Sequence, residues 1–455
     1  MNKLFLEHNI GELITKMNKG ELTPADLKKA AVENIEELNP KFFAWVLFQD
    51  KNWKAPEPPA PMDGPLVQAK LLHHIPVGVK DIYNTYDFPT QMGSPLWKGY
   101  TPGNDARVVF NLKRQGGVIM GKTVTAEFAV HALNETLNPY DITKTPGTSS
   151  SGSAVAVSLG MVPFAIGSQT AGSIVRPASF CGIYGVKPSF GSLPRTGTLK
   201  TTDSLDTLGY FAIHQKDLRR GFDSMRVEGL DYPILHEALN DKERQTKPKD
   251  RPWRVGFVKT HTWDTTPKYA QEAIEEYLKS LSKINDIEVI NAVLPDSMKS
   301  AHSIHQTIYD KALSYYFKGE YKQSDFVSPI MNEILTRGKD TPLKVYTDAI
   351  QAQMDLLYDM DDFFTSNKFD VIISLSTAGE APLRDVTELP DPALMWTLAH
   401  LPVVSVPQFK SPSKLPFGFQ VVARKYNDYL MFDFLDHLES QGVIPKKAGF
   451  FISNT

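Results

Sequence analysis

The chain has 455 residues, 42% of them hydrophobic and 22% charged, the proportions of a globular protein with a large core. Its 49 basic and 52 acidic residues leave a formal charge of −3, which gives no electrostatic footing for direct contact with nucleic acid or an anionic membrane. A lone cysteine, Cys181, excludes an internal disulfide and fits a reducing compartment. The N-terminal stretch lacks a signal-peptide pattern and no apolar run is long enough to span a bilayer, so a cytoplasmic protein is expected.

Thr23-Pro24 predicts a helix start, with threonine at the N-cap, proline at the first helical position and Asp26 closing a capping-box pattern. Leu27, Ala31, Ile35 and Leu38 then share one face, and Asn39-Pro40 is expected to stop the helix. The proline-rich stretch from Trp53 to Pro65 predicts an extended surface connection. Ile75 to Val79 is an apolar run ending at Lys80-Asp81. Asp105 to Gln115 returns to helix, with Val108, Val109 and Leu112 on one face and Gly116-Gly117 as terminator. Val118 to Met120, Val162 to Ile166 and Ile183 to Val186 read as buried strands, and Ala154 to Leu159 as a helix of small residues. Further on, Leu235 to Arg251 is polar and reads as a solvated excursion. Trp253 to Val258, Tyr269 to Leu281 and Ile287 to Val293 form a strand–helix–strand unit, Ala301 to Phe364 is largely helical, and strands are expected at Val371 to Leu375, Val403 to Val406 and Phe417 to Ala423. Helices alternating with apolar strands argue for an α/β sheet covered on both faces.

Two turns of small residues, Gly147 to Ser153 and Gly167 to Ser173, bracket an apolar segment from Ala154 to Ile166. A linker would be polar throughout; here a packed core holds the serines at fixed places. Residues without Cβ let backbone amides crowd toward one point, and successive N–H groups in such a turn make an anion-binding nest. That is the requirement for stabilising an oxyanion.

These two turns, together with GVKDIYNT at Gly78 to Thr85, GKTVTAEFA at Gly121 to Ala129 and SLDTLG at Ser204 to Gly209, resemble the amidase signature enzymes, with a weaker echo in WTLAHLPVVSVP at Trp396 to Pro407. The resemblance implies one α/β/α domain over residues 1–455 around a central mixed, largely parallel sheet, with N-terminal helices in 1–60, the signature core in 75–213, and a helical insertion and the remaining strands in 214–455. It also implies a machine of three side chains: Ser173 as nucleophile, Ser149 as a bridging serine beside a cis peptide bond, and Lys80 as the ultimate base. Ser149 directly follows the first pair of small residues, Gly147-Thr148, and its separation from Ser173 is that of the family's pair. Serine needs a partner to take its proton, and Lys80 must be neutral to do so; burial behind Ile75 to Val79 would depress its pKa in that direction. The expected oxyanion hole is the backbone of Thr170, Ala171, Gly172 and Ser173. The expected reaction is hydrolysis of a small-molecule carboxamide through an acyl-enzyme, with no metal and no cofactor, and with a homo-oligomer left open.

Departures from the family pattern are local. Gln169-Thr170-Ala171-Gly172-Ser173-Ile174-Val175-Arg176 has an amide where an aspartate is common and its arginine one position later, which reads as a different support for the same turn. Glu127 either orients a substrate amine or caps a helix, and the cap is favoured; Met395, Trp396 and His400 either line an acyl pocket or pack in the core. Two rival functions stand beside hydrolysis. The family includes one component of a tRNA-dependent amidotransferase, which draws ammonia from glutamine, a role that needs partner chains. Gly116 to Thr123, GGVIMGKT, also satisfies a P-loop pattern. That nucleotide-binding reading is disfavoured because a helix precedes Gly116 and Val118-Ile119-Met120 is itself the strand.

Overall fold

The computed structural model describes residues 1–50, 70–230, 232–386 and 391–448; the expected surface connection from Trp53 to Pro65 lies outside them. Eleven strands make one sheet: β1 (Trp45–Phe48), β2 (Pro76–Lys80), β3 (Val118–Thr123), β4 (Phe164–Gln169), β5 (Tyr184–Lys187), β6 (Thr207–Ala212), β7 (Trp253–Val258), β8 (Ile287–Ala292), β9 (Val371–Leu375), β10 (Val403–Lys410) and β11 (Pro416–Ala423). Their order across the sheet is β1-β3-β2-β4-β6-β5-β10-β11-β9-β7-β8.

The α/β sheet with helices around it is as expected, but its strands are not largely parallel. Parallel pairing joins β2 to β3 and β4 on one side and β7 to β8 and β9 on the other. The six pairings between and beyond them are antiparallel. An unbroken apolar run says only that a strand is covered on both faces, and β2, β4, β5, β6, β9 and β11 are all buried along their length. Direction is set by the connections, and short turns such as the one between β10 and β11 permit an antiparallel return.

Local signals placed β5, β7, β8, β9 and β11 within a residue at each end, while β1 and β6 were not expected. The helix Pro24–Phe42 begins with the expected capping box, Thr23 Oγ1 accepting from Asp26 N–H and the Asp26 carboxylate accepting from Thr23 N–H. It runs through Pro40 and ends at Phe43, a left-handed residue whose N–H donates to Asn39 O at 2.8 Å. Pro40 removes one intrahelical donor without ending the helix, and the cap one turn on closes it. The stretch from Leu235 to Arg251 is less solvated than expected. Its helix Pro233–Asn240 buries Leu235 and Leu239, and Arg244 donates to Lys425 O and Asn427 Oδ1. The helices Ala301–Tyr316 and Pro329–Asp340 bury Leu313, Met331, Ile334 and Leu335 against Phe128 and Val130, which fixes them beside the segment that follows β3.

Candidate active site

β2 and β4 lie side by side and parallel, so their C-terminal ends reach the same edge of the sheet. β2 ends on Lys80, whose side chain is fully buried. Its Nζ lies 2.7 Å from Ser149 Oγ, 2.9 Å from Ser150 Oγ and 2.9 Å from Ser168 Oγ. Burial drives the Lys80 pKa well below the ordinary lysine value; Arg176 adds to that and Asp206 opposes it. A neutral amine has one lone pair and two N–H groups. In that form Lys80 would take a hydrogen bond from one of the three hydroxyls and donate to the other two; the shortest contact is with Ser149.

Ser149 sits in the first small-residue turn, after a cis peptide bond between Thr148 and Ser149. Gly147 there has φ +86°, and a Cβ on it would lie 2.8 Å from Pro177 Cα, so the turn is pressed against the helix Val175–Phe180. Arg176 from that helix donates to Thr148 O at 2.7 Å and pairs with Asp391 at 2.9 Å. The two serine turns are thereby tied together through one guanidinium.

The second turn is held by side chains rather than by a ladder. Gln169, the last residue of β4, accepts from the N–H groups of Ile174 and Val175 at 2.8 and 3.0 Å. Its amide donates to Thr397 Oγ1 at 2.9 Å. Thus the amide in place of the common aspartate still holds the turn, and the shifted Arg176 has found its carboxylate in Asp391. Asp391 also lies under Gly172: a Cβ on that glycine would fall 1.6 Å from Asp391 Oδ2. Thr170 Oγ1 donates to Asp206, which also accepts from the backbone and hydroxyls of Thr201 and Thr202. Among the described residues, the N–H groups of Ala171, Gly172 and Ser173 donate to no protein acceptor. Ser173 Oγ likewise makes no hydrogen bond within them; the structure joins Lys80 to Ser149 directly but forms no bond between Ser149 and Ser173.

A cavity of about 330 Å³ adjoins Ser168, Thr170 and Asp206, with Ile82 and Leu208 as apolar walls and Arg195 and Lys200 as its cations. The expected pocket residues lie elsewhere. Glu127 accepts from the N–H of Ser328, the N-cap of the helix Pro329–Asp340; it caps a helix, though one far along the chain. Met395 and Trp396 are buried in an apolar cluster of their own, and His400 stacks on Phe190 at 4.0 Å with its Nε2 donating to Ser204 O at 2.6 Å. None of these four lines the 330 Å³ cavity. Lys122 of the P-loop-like stretch is on β3, buried against Asp81 at 2.9 Å. A lysine so engaged on a strand is no phosphate cradle. Among the described residues no cluster of His, Cys, Asp or Glu is placed to hold a metal, and no helix is long and apolar enough to cross a membrane.

Residues the sequence did not single out complete the site: Ser150 and Ser168 on Lys80, Asp391 under Gly172, Thr397 on Ala171, and His305, whose Nε2 lies 2.8 Å from Thr170 O. Only the hydroxyl-rich character of Ser149 to Ser153 hinted at the first. The contacts of His305 and Thr397 span 135 and 226 residues of sequence.

The sequence model of the Amidase family matches residues 26–432. The A subunit of glutamyl-tRNA(Gln) amidotransferase from Heliobacterium modesticaldum is 28% identical, the match covering 92% of this chain and 93% of that one. The crystal structure of the corresponding protein from Thermotoga maritima superimposes with a TM-score of 0.74 at 25% identity, covering 94% of this chain and 93% of that one. The peptide amidase of Stenotrophomonas maltophilia shares the fold, with a TM-score of 0.78, 22% identity and coverage of 98% and 99%.

Proposed function

The chain belongs to the Amidase family, and we propose that it hydrolyses the C–N bond of a small-molecule carboxamide in the cytoplasm through an acyl-enzyme on Ser173. Neutral Lys80 takes the proton of Ser149, Ser149 takes that of Ser173, and Ser173 Oγ attacks the carbonyl carbon. Negative charge then develops on the carbonyl oxygen, toward the N–H groups of the turn from Thr170 to Ser173. Collapse breaks the C–N bond; the leaving amine or ammonia carries off the relayed proton, and water repeats the sequence on the ester. The Ser149–Ser173 contact belongs to the step itself, and such bonds are often long until substrate is in place. The observation that carries the reading is the buried Lys80 amine 2.7 Å from Ser149 Oγ, since a lone serine in a nest would have no base.

The test needs no substrate. Purified protein is treated with a fluorophosphonate and the modified residue is found by peptide mass spectrometry. Adduction at Ser173 that is lost in Lys80→Met supports the reading; no adduct on folded protein overturns it. A second reading is favoured by the 28% identity with the amidotransferase chain over nearly the whole length of both proteins: the same chemistry working inside a complex. Amide hydrolysis by the isolated chain argues against this second reading, and activity only with a co-purifying partner argues for it.

A further inference from the structure

Three successive carbonyls of the turn are each held by a donor. Thr170 O accepts from His305 Nε2 at 2.8 Å, Ala171 O from Thr397 Oγ1 at 2.6 Å, and Gly172 O from Arg176 N–H at 2.9 Å. In a trans peptide unit the C=O of one residue and the N–H of the next point in opposite directions. Fixing each of these carbonyls therefore fixes the N–H group opposite it in the same peptide unit, those of Ala171, Gly172 and Ser173. The first two donors are side chains from outside the signature core, one on the helix Ala301–Tyr316 and one on the helix Leu394–Leu398.

Both side chains are committed to this contact. A carbonyl can only accept, so His305 carries its proton on Nε2; the ring is buried, which pushes its pKa down to about 4 and keeps it neutral at ordinary pH. Thr397 is buried too. It spends its single proton on Ala171 O while accepting from Gln169 Nε2 at 2.9 Å. The chain Gln169 to Thr397 to Ala171 thus runs in one direction.

We propose that His305 and Thr397 are positioning residues for the oxyanion hole, orienting the N–H groups of Ala171 and Gly172 without touching substrate. The inference rests on the hydrolytic reading above. It predicts a loss confined to steps in which charge develops on the carbonyl oxygen, since a donor felt only there lowers the barrier without changing ground-state binding.

The test compares His305→Phe, His305→Gln, Thr397→Val and Thr397→Ser with wild type, using the second-order rate of fluorophosphonate addition to Ser173 and, on any amide that is turned over, kcat and KM. Removing an oxyanion donor outright costs about a hundred- to a thousandfold; letting a donor swing away should cost less, so His305→Phe and Thr397→Val are expected to slow both addition and kcat by about ten- to a hundredfold with KM unchanged. His305→Gln and Thr397→Ser, which restore a donor, recover most of the rate. Thr397→Val only exchanges a hydroxyl for a methyl, so the test survives if His305→Phe does not fold. Wild-type rates in folded Thr397→Val, a rise in KM with kcat kept, or no recovery by the restoring variants overturns the inference while leaving the hydrolytic reading in place. Absence of any adduct at wild-type Ser173 instead overturns the hydrolytic reading, and the positioning roles with it.

Discussion

Gly172→Ala tests the packing beneath the turn. The added Cβ would lie 1.6 Å from Asp391 Oδ2 and 2.2 Å from its Cγ, so the carboxylate must leave its place. Asp391 is buried, pairs with Arg176 at 2.9 Å, and accepts from Ala393 N–H at 2.8 Å. Expelling it breaks the buried Arg176–Asp391 pair, a loss of about 3–5 kcal/mol. Asp391→Ala removes the same partner directly and is expected to cost a similar amount. If the glycine matters only because the carboxylate is there, the double variant loses little more than either single one; two independent sites would lose the sum, about 6–10 kcal/mol. Denaturant unfolding of the four proteins gives the coupling. Additive losses, or a Gly172→Ala protein as stable as wild type, would refute the reasoning.

Lys80→Met and Ser173→Ala should each abolish turnover and fluorophosphonate addition while the far-ultraviolet circular dichroism stays near wild type; full activity in either sinks the mechanism. Ser149→Ala should be severe yet incomplete, because it removes a relay and leaves base and nucleophile in place. Since Lys80 must be neutral to accept a proton and burial depresses its pKa, the addition rate should rise with pH through that depressed value and level off above it. Stability moves the same way: between the folded and unfolded pKa the unfolded chain binds the extra proton, so stability rises with pH across that window. A rate that stays low at neutral pH and rises only near the ordinary lysine value would contradict this. Gln169→Leu leaves the N–H groups of Ile174 and Val175 without their acceptor and should cost about 1–3 kcal/mol for each. Gln169→Glu keeps that acceptor, so equal losses in thermal melts of the two variants would refute the assignment.

Local signals were legible where one residue type permits one conformation. The capping box at Thr23 and the apolar runs of β2, β4 and β9 needed no tertiary context. The contact between Lys80 and Ser149 followed from two motifs and their resemblance to a family's, as did the position of the cis bond. Strand direction was not legible, because burial on both faces looks alike in parallel and antiparallel pairs. Nor was the role of Trp396 or His400: an aromatic ring near a motif reads equally as pocket wall or core, and neither lines the cavity. Asp391 and His305 carry no local pattern at all, and Thr397 was not singled out within the Trp396 to Pro407 segment. Each acts through contacts made across more than a hundred residues, which periodicity cannot see.

The distance between Arg176 and Asp391, 215 residues along the chain, also bears on how the protein is born. By the time β4 and the helix Val175–Phe180 have left the ribosome, the lysine and both serines have been made, but Thr397, which holds Ala171, and Asp391, which lies under Gly172, have not. Contacts this remote must wait for loop closure over nearly half of the polypeptide. A nascent chain stopped before residue 391 would carry Lys80, Ser149 and Ser173 beside a turn that still lacks Thr397 on Ala171 and the Asp391 partner of Arg176. The protein is therefore expected to acquire its reactivity late in synthesis, once β10 and β11 join the two halves of the sheet.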